Sequence, residues 1–199
     1  MLYKYGDPGF RYAWLDFLNE DPVHPTISIA KRINGSRTVF VYVENNLPQF
    51  IVCARIGKFL PHTIAEVLAD DIAENQVPHL YAVFYSIFRT PVATMKGAGA
   101  LAIKEVIEYC KRDNIKRFYT LSPVPYLSEQ FKVMPKENEI RLYLESKKGP
   151  VEKFHLNNGA TISTINYFAD NSQKRIDESW GIMVNYNYSM FHAPDTHHF

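Results

Sequence analysis

Apolar and polar positions change period several times along the chain, and each change marks an element. The mixed stretch Tyr12-Ala-Trp-Leu-Asp-Phe-Leu18 suggests a short helix, followed by a turn at Asp21-Pro22 and His24-Pro25. The β-branched and aromatic run Thr38–Val43 predicts a strand, residues 45–48 a turn, and Gln49–Ile56 the hairpin partner. Pro61 opens a helical stripe through Ile64, Val67, Leu68 and Ile72, with acidic residues between. Leu80–Phe88 is apolar on both faces, as a central strand covered by helices would be. Gly97–Arg112 follows, with Ile103, Ile107 and Cys110 on one face and a basic end, which predicts a helix. Phe118–Ser122 reads as a short strand stopped by Pro123 and Pro125. Residues 139–147 read as a helix and residues 151–156 as one or two further turns. Alternation over 161–168 and 182–188 predicts two half-buried strands around a helix near 173–178. Strands and helices interleave throughout, so the expected fold class is α/β, a mixed central sheet flanked by helices, in one domain over residues 1–199.

Composition narrows the function classes. At 46% hydrophobic and 22% charged residues, the chain has the apolar content of a folded globular protein. Its 22 Lys and Arg against 21 Asp and Glu leave a net charge of +1, without the basic excess of a nucleic-acid or anionic-membrane binder. Cys53 and Cys110 are too few for a disulfide framework and lack metal-type spacing. Residues 1–6 contain no apolar leader core, and no apolar run reaches membrane-spanning length, so a cytoplasmic location is expected. The unusual figure is the 14% aromatic content, with 13 Tyr and 13 Phe.

Three segments have residue types suited to chemistry. Lys96-Gly97-Ala98-Gly99-Ala100 lies between the central strand and a helix, where free N–H groups and the helix dipole favour an anion. It reads either as a phosphate cradle for a nucleotide or coenzyme A, or as a helix start whose small residues pack on the sheet. His155, in Phe154-His155-Leu156 before an Asn-Asn-Gly turn, is either a structural hydrogen-bonder or a proton-transfer group. Tyr119, Thr120 and Ser122 place three hydroxyls at a strand end, where they line a crevice or cap the chain. His192, Asp195, His197 and His198 sit in the final residues, where a metal site is not expected. Glu66, Asp70, Asp71 and Glu74 read as a solvated helix face. No Gly-x-Ser-x-Gly, His-Glu-x-x-His or Cys-x-x-Cys motif occurs.

Taken together, these segments resemble the C-terminal catalytic domain of the malonyl-CoA decarboxylases, whose fold is similar to that of GNAT-type acyltransferases. The matches are collinear from about residue 20 to 190. They comprise Val23-His24-Pro25, Gln49–Val52, Thr63–Leu68, Phe84-Tyr85-Ser86-Ile87, Thr120–Pro125, Phe154–Ala160, Ile165–Asp170 and Gly181–Tyr188. The resemblance implies decarboxylation of a malonyl or methylmalonyl thioester, with His155 as the acid that protonates the resulting enolate. It further implies that coenzyme A lies against Val92 to Gly99, with Thr94, Met95, Lys96, Gly97, Ala98 and Gly99 as contacts. No cofactor is expected beyond the coenzyme A or phosphopantetheine thioester itself, and no metal.

Three departures qualify the resemblance. The family's glycine-rich loop is replaced by Val92-Ala93-Thr94-Met95, and Thr94-x-x-Gly97-x-Gly99 is closer to a general GNAT coenzyme loop with Thr94 at its first position. The family's serine aligns with Tyr119, with Thr120 beside it. Strand alternation sends Tyr119 and Leu121 to one face and Thr120 and Ser122 to the other, so only one pair can serve a site. The family's N-terminal helical domain has no counterpart in these residues, which is similar to the free-standing decarboxylase-type GNAT domains of polyketide loading modules. An acyl carrier protein is therefore a possible donor beside acyl-CoA, and oligomeric state is left open. The alternatives are an acyltransferase acting on a carrier protein or amine, and a non-catalytic acyl-CoA binder.

Overall fold

Val39, Val41 and Val43 alternate with Phe40 and Tyr42, so a strand here presents an apolar row on each side and needs cover on both. The computed structural model describes residues 1–70 and 80–189, and there the strand has that cover. Strand β1 (Leu2–Lys4) runs antiparallel to β2 (Arg37–Glu44), and β2 to β3 (Leu47–Gly57). Asn45 and Asn46 close the β2–β3 hairpin at φ 52° and 61°, the left-handed geometry that such turns need and that asparagine tolerates. Strand β4 (Tyr81–Arg89) pairs antiparallel with β3, and β5 (Arg117–Thr120) lies parallel to β4.

On the β1–β2 connection, residues Tyr12–Glu20 form a 3₁₀ helix rather than an α-helix, followed by α1 (Ile29–Arg32). Three residues per turn sets Leu15 above Leu18, and both are buried on the sheet. Helix α2 (Ile64–Leu68) opens with a capping box between Thr63 and Glu66. The Ile72 end predicted for it, and the acidic Asp71 and Glu74, fall outside the described residues. Helix α3 (Ala98–Arg112) crosses from β4 to β5.

Strand β6 (Ser122–Pro123) continues the line of β5 after a break at Leu121, and the short α4 (Leu127–Gln130) follows. Then come α5 (Glu137–Glu145), α6 (Pro150–Asn157), β7 (Thr161–Asn166), α7 (Gln173–Ser179) and β8 (Met183–Asn187). Both β5 and β6 pair antiparallel with one edge of β8, and β7 pairs with it too. Helix α6 extends one residue beyond each end of the predicted 151–156, with Pro150 well suited to its first turn.

Two features of β4 locate the site. Cys53 opposes Ser86 while Ala54 opposes Phe84, so Tyr85 is an extra residue, a β-bulge. Pairing of β4 with β5 ends at Phe84↔Thr120, after which Leu121 N–H donates to Phe84 O at 2.9 Å. Beyond that point β4 runs on to Arg89 while β6 pairs with β8, and the sheet opens between them. One core, including Phe84, Ile107, Phe118, Ile140 and Tyr186, fills the side of α3, α5 and α6. The other, including Val83, Tyr85, Leu121, Met183 and Trp14, fills the opposite side.

Candidate active site

The break at Leu121 fixes which hydroxyls face the helices. Alternation puts Thr120 and Ser122 on one side, where Ser122 Oγ donates to Thr120 Oγ1 at 2.9 Å. Helix α6 delivers His155 to the same place, with Nε2 3.0 Å from Ser122 Oγ. The start of that helix is tightly built. The buried Glu152 carboxylate accepts Gly149 N–H, and a Cβ on Gly149 would lie 2.4 Å from Glu152 Oε1, so any larger residue there would displace that carboxylate. The other imidazole nitrogen, Nδ1, lies 2.9 Å from the Tyr188 hydroxyl. The ring stacks on Tyr186, centroids 4.5 Å apart at 24°. Below, Asn185 Nδ2 donates to Thr120 O at 2.8 Å and Asn166 Nδ2 to Asn185 Oδ1 at 2.7 Å, fixing the strand that bears Thr120.

His155 is only 3% exposed, and burial lowers its pKa from 6.5 to about 3, so the imidazole is neutral near pH 7. Burial pushes the Tyr188 and Tyr186 hydroxyls up, so both stay protonated. With Ser122 giving its proton to Thr120, one hydrogen-bond direction uses each hydrogen once. Tyr188 O–H donates to Nδ1, and Nε2–H donates to Ser122 Oγ. The result is a hydrogen-bonded line, Tyr188 to His155 to Ser122, at the point where the sheet opens.

The sequence-predicted residues divide between the faces. His155, Thr120 and Ser122 are brought together. Tyr119 is not: it lies across the sheet with the opposite core, its ring 6.0 Å from that of Tyr81. The position aligned with the family's serine is thus separated from His155 by the sheet, and Ser122 and Thr120 are the hydroxyls within reach. Tyr188 was missed as a site residue, although the Tyr186-x-Tyr188 spacing puts both rings on one strand face.

The loop and helix start at 94–99 adjoin this cluster. Gly97 is the N-cap of α3 at φ 75°, and no side chain caps the helix there. A Cβ on Gly99 would lie 2.7 Å from Phe50 Cζ and 3.0 Å from Phe154 Cε2. Glycine therefore lets the first turn of α3 press against Phe154, the neighbour of His155. Thr94 and Met95 lie just before, their backbone N–H groups both bonded to Gln49. Among the described residues no three His, Cys, Asp or Glu side chains cluster as metal ligands, and no helix is long and apolar enough to cross a membrane. His192, Asp195, His197 and His198 lie outside the described residues.

A family model described as malonyl-CoA decarboxylase C-terminal domain matches residues 28–148 and 138–198. Mitochondrial malonyl-CoA decarboxylase of Rattus norvegicus is 49% identical over 51 residues, which is 24% of this chain and 10% of the rat protein. A crystal structure of malonyl-CoA decarboxylase from Rhodopseudomonas palustris superposes with a TM-score of 0.73 at 24% identity, covering 96% of this chain and 60% of that one. The GphF GNAT-like decarboxylase, in complex with isobutyryl-CoA, gives a TM-score of 0.64 at 19% identity over 94% of this chain and 97% of that one. These two likenesses establish the GNAT-like fold. The chain thus spans about three-fifths of the bacterial decarboxylase and a much smaller part of the rat one.

Proposed function

The chain belongs to the malonyl-CoA decarboxylase C-terminal domain family, and on that premise we propose that it removes carbon dioxide from a malonyl or methylmalonyl thioester. The observation that carries the reading is the neutral, buried His155 held between Ser122 and Tyr188 where the sheet opens. Breaking the bond to the carboxylate leaves its electron pair as an enolate, with negative charge on the thioester oxygen. Thr120 accepts the Ser122 proton and keeps its own hydroxyl hydrogen, which it donates to stabilise that oxygen. His155 Nε2–H protonates the carbon while Nδ1 takes the Tyr188 proton, so the ring never passes through an imidazolate. The resulting tyrosinate, strongly basic in its buried setting, regains a proton from solvent. Carbon dioxide and the acetyl or propionyl thioester leave.

The coenzyme A or carrier-protein phosphates rest on the uncapped start of α3, over Lys96 to Gly99, with the arm passing between β4 and β6. The test is direct. Purified protein given malonyl-CoA or a malonyl carrier protein yields the acetyl thioester, read by mass spectrometry. Replacing His155 by Ala lowers turnover about 10²–10⁴-fold. Turnover unchanged in that variant removes His155 from its role, and a wild type inert on both donors removes the reading itself. An acyl adduct retaining its carboxylate on an acceptor would instead identify a transferase.

A further inference from the structure

Gln49 is 1% exposed, in β3, far in sequence from the loop that precedes α3. Its side-chain oxygen Oε1 accepts two consecutive backbone N–H groups, Thr94 and Met95, each at 2.8 Å. Its amide nitrogen donates to Leu47 O at 3.2 Å, which fixes the orientation of the carboxamide. Its own backbone carbonyl accepts Thr90 N–H at 3.2 Å, and the Thr90 hydroxyl donates to Pro48 O. Two adjacent residues of β3 thus hold the loop at both its beginning and its middle.

We propose that Gln49 is a positioning residue for the thioester's phosphates, a reading that rests on the function proposed above. Thr94 and Met95 N–H groups are already committed to Gln49 and cannot bind an anion. The phosphates must therefore use the N–H groups from Lys96 onward, including the uncapped first turn of α3. Binding Thr94 and Met95 from beneath leaves the chain to turn outward at Gly97, whose φ of 75° suits that reversal.

The experiment uses the full chain with Gln49→Met, which keeps length and apolar bulk but has no carbonyl acceptor. Hydrogen exchange at Thr94 and Met95 is expected to accelerate at least tenfold, while amides of β3 and β4 keep their protection. The KM for malonyl-CoA rises about tenfold with kcat within threefold, and coenzyme A binding by calorimetry weakens to match. For malonyl-pantetheine, which lacks the pyrophosphate, KM is unchanged. Gln49→Glu retains an acceptor at the same reach and restores the exchange protection. The proposal fails if Q49M leaves exchange at Thr94 and Met95 as in wild type, or if KM rises equally for both substrates. A Q49M chain that does not fold gives loss of protection throughout, and the Q49E comparison then decides: unprotected Thr94 and Met95 in a folded Q49E protein overturn it. A wild type that binds no coenzyme A would instead overturn the function, while the exchange data would still report on Gln49's hold on the loop.

Discussion

Each face of the sheet carries a buried polar cluster, and the two are built differently. On the side of α6, His155, Ser122, Thr120 and Tyr188 meet as neutral groups joined by hydrogen bonds. On the opposite side the groups are charged and matched. Arg32 and Asp21, both essentially inaccessible, pair at 2.8 Å. Arg32 also donates to His24 O at 2.6 Å and Ile27 O at 3.1 Å, while Asp21 accepts from Ser86 Oγ at 2.6 Å and Val23 N at 2.7 Å. His24 Nε2 lies 3.0 Å from Tyr85 O, the carbonyl of the bulged residue, and Nδ1 lies 3.5 Å from Asp170. Burial pushes the Asp170 carboxyl up, but hydrogen bonds from His24 and Ser172 outweigh it and hold the pKa at about 2.

The charged cluster grips Tyr85 and Ser86, the two residues where β4 bulges, and so holds the opening whose far wall carries Ser122. The Arg32–Asp21 pair has its charges matched and its hydrogen-bonding groups engaged with neighbouring backbone and side chains, which suits a scaffold. The neutral cluster holds a histidine between two hydroxyls, with no carboxylate hydrogen-bonded to it among the described residues. One side therefore sets geometry, and on the function proposed above the other moves protons.

The contrast is most strongly tested by breaking the ion pair. Arg32→Met leaves Asp21 buried without its cation, and a loss of about 3–5 kcal/mol in urea unfolding at pH 7 is expected. A loss below about 1 kcal/mol would mean that the pair does not hold the scaffold. The second test uses acid. Unfolded, His155 binds a proton near 6.5, whereas folded it does so only at about 3. Its contribution is complete above pH 6.5 and falls by about 1.4 kcal/mol per unit below it, because the unfolded state alone gains the proton in that window. Asp170, titrating between 3.8 and about 2, contributes only further down. Unfolding measured from pH 7 to 4.5 should therefore lose most of its slope in His155→Asn. An unchanged slope would place a protonated imidazole in the folded state. The smallest effect expected is on stability in Tyr188→Phe, about 1 kcal/mol from one hydrogen bond. Decarboxylation in that variant falls about tenfold or more if the hydroxyl feeds His155, and equal rates would cut Tyr188 from the line.

The periodic stretches were legible before any coordinates. The hairpin of β2 and β3, the doubly apolar β4, helix α3, and the β7 and β8 pair all lie where alternation or helical spacing put them, because burial selects those positions one residue at a time. The motif around His155 also set it apart, and the structure seats its ring between Ser122 and Tyr188. The short elements were not: β1, α1 and α4 span three or four residues each, too few for a period to show. Residues 12–18 were legible as a short helix, yet three- and four-residue spacings cannot separate a 3₁₀ turn from an α turn.

The sequence by itself determined the class of fold, the family, the face on which Thr120 and Ser122 sit together, and the histidine, since each rests on local pattern or on a contiguous motif. Tertiary structure decided that this face is the one His155 meets, that Tyr119 lies across the sheet, that Tyr188 completes the line, and that Gln49 holds Thr94 and Met95. These are contacts between residues 33 to 46 positions apart. Their partners are chosen by where the strands cross and where the sheet opens. No spacing along the chain encodes that choice, because the opening arises from one extra residue in β4 and a pairing lost beyond Phe84.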